Sequence, residues 1–468
     1  MLFNSIEFIL FFILFAIFFY ISNPKYRWLL LLVASYCFYM YWEWEYIFLI
    51  IFSTGVDFFC GTQMSKKDNK LERRPYLILS LFTNLGLLFA FKYFNFFYSV
   101  LFSSSNVGLQ PLDILLPIGI SFYTFQTLAY SIDIYRGNIK CEKHLGKFAL
   151  YVSFFPQLVA GPIERADSLL PQLQKNLNKL KHHNIVLGLN QVIIGFFKKV
   201  VVADLIAIYV ESVYGSFELH TGFILLFATY LFAIQIYCDF SGYTDIAIGC
   251  AKILGYDLME NFRSPYFSKS ITEFWRRWHI SLSSWLRDYL YIPLGGSKGN
   301  KIFTYRNLML TMLLGGLWHG AAWNFIIWGG LHGTYLIIER RLGFPKLIET
   351  KTRIIQIISG VFTFHLVCLS WVFFRCETFD KAIEIVNRIF TGNNFFNFSI
   401  HDSNVLGAIG LTSFLFILIE VFILNKSGVK KFNQTIDVYK SIILQTILIM
   451  LIVLFGVSEG SQFIYFQF

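Results

Sequence analysis

The chain is 468 residues long, 56% hydrophobic and 19% aromatic, with 15% charged residues and a formal net charge of +10. Soluble domains carry roughly 25% charged residues, so this chain lacks the charge to cover a water-facing surface. Soluble multi-domain enzymes and disordered chains are excluded, and so are disulfide scaffolds, because the seven cysteines form no C-x-x-C pair. The mean hydropathy of +0.57 leaves a polytopic membrane protein. At about 20 residues per span, the length accommodates on the order of 10 to 12 helices. The positive charge does not point to nucleic acid. It sits in short loops between apolar runs, where it orients a membrane protein and meets anionic lipid.

In chain order, apolar stretches fall near 3–21, 28–42, 44–62, 76–99, 112–134, 185–210, 221–250, 307–338, 354–374, 405–424 and 441–457. The first lacks the basic flank and small-residue cleavage site of a signal peptide and reads as an uncleaved span. Basic loops alternate with neutral or acidic ones. Lys25 and Arg27 mark one, Lys66 to Arg74 a second, Arg136 to Lys147 a third and Lys426 to Lys440 a late one. Assigned to the cytoplasm, these loops place the N-terminus and residues 458–468 outside.

Two segments do not read as simple spans. Residues 148–163 are apolar but short, contain Pro156, Gly161 and Pro162, and suggest a re-entrant or membrane-surface element. Residues 307–338 are too long for one span and are punctuated by Gly315, Gly316, Gly320, Gly329, Gly330 and Gly333, with basic residues on both flanks. A segment that enters and leaves on one side must bend within protein or beside a wet cavity, so a recess open to the cytoplasm is expected. Between them, E-F-W-R-R-W-H-I-S-L-S-S-W-L-R-D-Y-L-Y at 273–291 has the roughly helical aromatic and basic spacing of a helix lying in the membrane interface.

Ionisable residues within apolar segments are functional candidates, since each costs several kcal/mol unless it is paired. His319 in L-W-H-G, His332 in L-H-G, His279 in R-W-H-I, and Asp239 and Asp245 in D-F-S-G-Y-T-D stand out; His365 lies in a plainer span. The three former histidines are separated by 40 and 13 residues, which lacks the one-turn pairing of helical metal sites, and no metal is expected. No nucleophile elbow, P-loop or dinucleotide fingerprint is present.

A series of ordered segments carries a family resemblance. They are F-F-P-Q-L-V-A-G-P-I-E-R at 154–165, D-F-S-G-Y-T-D-I-A-I-G at 239–249, N-F-R-S-P-Y-F at 261–267 and I-T-E-F-W-R-R-W-H-I-S-L-S-S-W at 271–285. R-D-Y-L-Y-I-P-L-G-G at 287–296, G-L-W-H-G-A-A-W-N-F-I-I-W-G-G-L-H-G at 316–333 and S-W-V-F-F-R at 370–375 continue it. In these the chain resembles the membrane-bound O-acyltransferases, in particular the bacterial branch that O-acetylates alginate, peptidoglycan and related polysaccharides. The resemblance implies an all-α polytopic protein of about 11 transmembrane or re-entrant helices around a central funnel. It also implies a single integral membrane domain over 1–468, with an acyltransferase core at about 148–375 and an extracytoplasmic tail at 458–468. The family's essential histidine falls on His319, and a second functional position falls on His279. Trp275, Arg276 and Arg277 would shape a basic cytoplasmic mouth for an anionic donor such as acetyl-CoA, which is a thioester substrate and not a bound cofactor. Trp318, Asp239 and His332 are placed with them as substrate-binding residues.

The terminal F-I-Y-F-Q-F resembles an aromatic motif on family members and on small partner peptides of teichoic-acid D-alanylation, where its tyrosine is proposed as an acyl carrier. Read apart from that resemblance, it is an aromatic belt at the membrane interface. Tyr465 as an acyl carrier with His319 as general base is chemically sensible. Moving a proton from a phenol of pKa about 10 to a histidine near 6.5 is uphill by about 3.5 units, or about 4.8 kcal/mol. A phenyl ester also keeps much of a thioester's transfer potential, because phenol and thiol are comparable leaving groups. The resemblance further implies a separate extracytoplasmic transferase of the SGNH esterase fold and residence in the bacterial cytoplasmic membrane. A transporter or flippase without acyl chemistry and D-alanyl transfer to teichoic acid are the alternatives.

Overall fold

The computed structural model describes residues 1–102, 115–159, 161–175, 181–391, 410, 413, 438–457 and 463–464. Among these the regular structure is entirely helical. The chain divides into two compact units, Met1–Val192 with Ile246–Met259, and Ile193–Asp245 with Glu260–Phe468. Among the described residues, four helices are long and apolar enough to cross a membrane: Trp44–Ser65, Lys70–Phe102, Gly222–Ile253 and Arg353–Arg375. Ile6–Ile21 and Ser441–Phe455 are shorter apolar helices. The apolar stretch 405–424 lies, apart from Gly410 and Ser413, outside the described residues.

The first unit contains α1 (Ile6–Ile21), α2 (Arg27–Met40), α3 (Ile47–Ser65), α4 (Lys70–Leu88), α5 (Phe94–Phe102), α6 (Ile120–Arg136), α7 (Leu145–Ser153), α8 (Phe155–Leu158) and α9 (Ala166–Gln174). Polar side chains join α3, α4 and α6 where apolar side chains gain nothing over lipid. Buried Asp57 accepts from Ser80 Oγ at 2.5 Å and from Asn84 Nδ2 at 2.9 and 3.0 Å, while Ser53 Oγ donates to Asn84 Oδ1 at 2.6 Å. Residues 148–159 form a buried broken pair, α7 and α8, interrupted at Phe154. The segment is covered by protein on all sides. Its backbone is supplied with partners: Gln126 Nε2 and Gln157 Nε2 each donate to Tyr151 O at 2.7 Å, and Phe155 N donates to Ser35 Oγ at 3.1 Å.

The second unit takes up the chain near the end of α10 (His182–Phe196), which passes through a π-helical turn, Phe197–Ala203, into α11 (Asp204–Gly215). There follow α12 (Gly222–Ile253), which belongs to this unit up to Asp245, α13 (Ile271–Arg277), α14 (Ile280–Leu286), α15 (Lys301–His319), α16 (Trp323–Leu342), α17 (Phe344–Glu349), α18 (Arg353–Arg375) and α19 (Phe379–Thr391). The helix Val438–Phe455 comes last. The Gly-broken segment is a helical hairpin, α15 and α16, interrupted at Gly320–Ala322, where the backbone is extended at Gly320 and Ala322. Its glycines let two backbones touch. A Cβ on Gly316 would lie 2.1 Å from Phe325 O, and one on Gly329 would lie 2.2 Å from Met312 O.

The expected interfacial helix at 273–291 is not one helix. It breaks at His279, whose backbone is left-handed with φ 43°, and continues as α14 and a π-helical turn, Arg287–Tyr291. Its aromatic face turns into protein, with Trp278 and Trp285 buried. A left-handed non-glycine residue costs roughly 1–2 kcal/mol, so neighbouring groups must hold it. Asn261 does so: Ile280 N donates to Asn261 O at 2.9 Å, and Ser281 N donates to Asn261 Oδ1 at 3.1 Å. At the other end of α13, Glu339 of α16 accepts from Ile271 N at 2.5 Å and Thr272 N at 2.9 Å. A carboxylate there satisfies orphan amides and the positive end of the helix dipole.

Replacing Gly329 with Val forces a side chain into the facing backbone and is expected to abolish monodisperse folded protein in detergent. Gly330→Ala meets Leu313 Cδ2 at an ordinary 3.6 Å and is expected to leave the melting temperature unchanged or slightly raised. Size-exclusion profiles and thermal unfolding of the two variants check this pair.

Candidate active site

His319 is the last residue of α15, immediately before the hairpin break, and is 4% exposed. His279 at the α13–α14 break and His332 on α16 are both fully buried. Tryptophans interleave the three. The His279 ring lies 6.2 Å from Trp318, and Trp318 lies 5.0 Å from His319. His319 is 5.0 Å from Trp328, which is 4.9 Å from His332. Trp275 of α13 closes on the far end, 5.1 Å from His332 and 5.7 Å from Trp328. Phe374 of α18 packs edge-on against both His319 and Trp328. Four of the expected residues, His319, His332, Trp318 and Trp275, therefore share one continuous ladder of rings with His279.

Hydrogen bonds orient two of these imidazoles. The amide of Asn261 is fixed because Ser281 N–H can donate only to its oxygen. That oxygen lies 3.2 Å from His279 Nδ1, so Nδ1 carries the proton and Nε2 is left with its lone pair. Ser370 Oγ donates to Val367 O at 2.7 Å and lies 2.9 Å from His332 Nε2, so His332 donates through Nε2 and keeps its lone pair on Nδ1. Among the described residues, buried His332 Nδ1, Trp275 Nε1 and Trp328 Nε1 have no hydrogen-bond partner. No three His, Cys, Asp or Glu side chains converge among the described residues as metal ligands would.

Arg276 and Arg277 lie on α13 with Trp275. Arg276 is exposed, while Arg277 pairs with Glu273 at 2.6 Å, one helical turn back. Asp239 on α12 belongs to a buried ion cluster. Lys199 Nζ reaches Asp239 Oδ1 at 2.7 Å and Asp204 Oδ1 at 2.8 Å, and Lys198 Nζ reaches Asp245 Oδ2 at 2.9 Å. The π-helical turn aims both consecutive lysines inward, which a regular helix, with 100° between neighbours, does poorly. The second oxygen of Asp239 accepts from Ile464 N at 2.7 Å. Phe463 stacks on Tyr243 at 4.7 Å and lies 5.6 Å from Phe240, whose ring is 4.7 Å from His279. Phe463 is thus seated one ring away from the ladder. Tyr465 itself lies outside the described residues.

A model of the membrane-bound O-acyltransferase family matches residues 143–376, which contain every rung of this ladder. The chain belongs to that family. A probable alginate O-acetylase AlgI of Pseudomonas syringae pv. tomato is 43% identical over 397 residues, covering 84% of this chain and 75% of that one. A peptidoglycan O-acetyltransferase of Helicobacter pylori is 34% identical over 493 aligned positions, covering 96% and 93%. A teichoic acid D-alanyltransferase of Bacillus subtilis is 29% identical over 281, covering 58% and 71%. The protein is accordingly a multi-pass membrane acyltransferase, which removes the transporter without acyl chemistry.

The residues that sequence reading missed are partners: Asn261, Trp328, Ser370, Phe374, Lys198, Lys199 and Asp204. Removing one partner of a buried ion cluster leaves charge uncompensated at about 3–5 kcal/mol. Lys199→Met is expected to lower the unfolding midpoint sharply, whereas Lys381→Met, an exposed pair with Glu377, is expected to leave it unchanged. Thermal unfolding in one detergent measures both.

Proposed function

We propose that this acyltransferase moves acetyl from a cytoplasmic thioester donor such as acetyl-CoA to an extracytoplasmic polysaccharide, with Tyr465 as a covalent carrier. The seating of Phe463 and Ile464 against α12, one ring from His279, is the observation that carries this reading. The relatives named for O-acetylation of alginate and of peptidoglycan each align with more than four-fifths of the chain, against 58% for the D-alanyltransferase, which supports acetyl over D-alanyl transfer.

In the proposed step, the Tyr465 hydroxyl attacks the thioester carbonyl while His319 takes its proton. The new C–O bond forms, the C–S bond breaks, and the thiolate recovers the proton from the imidazolium. His279 is the second functional histidine, and Trp275, Trp318, Trp328 and His332 line the apolar walls that exclude water. Arg276 and Arg277 would meet the anionic donor at a cytoplasmic mouth. Basic loops in the cytoplasm put both termini outside a bacterial cytoplasmic membrane. The acetylated tail would there hand its group to a separate SGNH-type transferase acting on the polymer.

Purified protein incubated with acetyl-CoA is expected to gain one acetyl mass on the terminal peptide. The gain should vanish in Tyr465→Phe and in His319→Ala, the latter with a loss of transfer of 10²-fold or more. Cells carrying Tyr465→Phe should lose ester-linked acetate from wall or secreted polysaccharide. Unchanged polymer acetate in that strain would contradict the covalent carrier and favour direct delivery of the donor.

A further inference from the structure

We infer that Asp239, with Phe240 and Tyr243, forms a peptide-binding site on α12, that its occupant is the chain's own C-terminal segment, and that Asp239 is a positioning residue. The sequence assigned Asp239 to substrate. The geometry divides its carboxylate between two tasks. Oδ1 faces Lys199 at 2.7 Å, and Oδ2 accepts from the backbone N–H of Ile464 at 2.7 Å. Lys199 is in turn held by Asp204 at 2.8 Å, so the carboxylate that grips the tail is itself fixed in charge and direction.

Three features make this a built site and not incidental packing. A charge-assisted hydrogen bond to a backbone amide is roughly twice as strong as a neutral one, and both ends here are buried. The bond is blind to side-chain identity, so selectivity must come from the flanking ring. Phe463 supplies it, stacked at 29° on Tyr243 and tilted against Phe240. Upstream, Val457 N donates to Val200 O at 3.1 Å, which ties the start of the tail to the π-helical turn that carries Lys199. The same turn therefore anchors the tail at one point directly and at a second through Asp239.

This inference rests on the acetyl-carrier reading for its purpose but not for its evidence. Tyr465 follows Ile464 directly in sequence, so the clamp acts on the residue before the proposed carrier. Anchoring the neighbouring residue reduces the conformational freedom that the carrier loses on reaching a buried histidine.

The test uses the full-length protein with p-benzoylphenylalanine in place of Phe463. Irradiation is expected to link position 463 to an α12 peptide that contains Tyr243. A free Q-F-I-Y-F-Q-F heptapeptide added in excess should suppress that link by competition. The same peptide N-methylated at its isoleucine nitrogen should need a concentration about tenfold or more higher, because it lacks the donor that Asp239 accepts. Equal competition by the two peptides, or a cross-link outside α12, would overturn the clamp. Asp239→Leu should reduce the cross-link several-fold and remove the difference between the peptides; a preserved difference in this variant would also overturn it. Should the variant fail to fold, the two-peptide comparison in the Asp239 protein decides alone. A clamp that passes while no acetyl reaches Tyr465 would sink the carrier reading and leave the peptide site standing.

Discussion

Backbone that leaves the helix inside a membrane must find its hydrogen-bond partners in protein, and the second unit is arranged around that constraint. Its two decisive breaks, at His279 and at Gly320–Ala322, are the places where catalytic candidates sit. Each break is bought with dedicated contacts. Asn261 grips the first through its backbone and its side chain, and Asn324 Nδ2 ties the start of α16 to Cys376 O at 2.6 Å beside the second. Glycine makes the second break useful, because Gly316 and Gly329 bring α15 and α16 close enough for Trp318, His319 and Trp328 to pack as one stack. A bulkier hairpin would separate the rings and open the histidines to lipid or water.

Burial then shapes the chemistry. Imidazoles wedged between indoles and a phenyl ring have little freedom to rotate, and a single hydrogen bond to Asn261 or to Ser370 determines which nitrogen keeps a lone pair. The ion cluster works by the same logic at a larger scale. Two lysines and three aspartates are stable in the interior only as a closed set, and one carboxylate of that set has an oxygen turned to the tail. Rigidity in the ladder and rigidity in the tail anchor thus come from different devices, aromatic packing in one and paired charge in the other.

The membrane class, the bend in the glycine-rich segment and the candidacy of His279, His319 and His332 were legible in the sequence, because burial of charge and breaks in apolar runs leave local marks. The ladder was not. Trp328 and Phe374 are ordinary aromatics in an aromatic-rich chain, and nothing in their spacing reports that they meet His319. Asn261 sits 18 residues before His279, and that separation has no periodic signal. The segment 273–291 was misread as an interfacial helix because its aromatic and basic spacing is the same whether the aromatic face meets lipid or protein. One clue was available and unused: Lys198 and Lys199 interrupt an apolar stretch, as do Asp239 and Asp245, and opposite charges at membrane depth should find each other.

Kinetic competence of the acetylated tail is the most direct test of a covalent carrier at Tyr465. Membrane vesicles loaded briefly with radiolabelled acetyl-CoA and then chased with unlabelled donor would report how fast label leaves the terminal peptide for polysaccharide. A covalent carrier on the pathway requires departure at least as fast as steady-state polymer acetylation. Label that leaves the tail more slowly than the polymer gains acetate would contradict it.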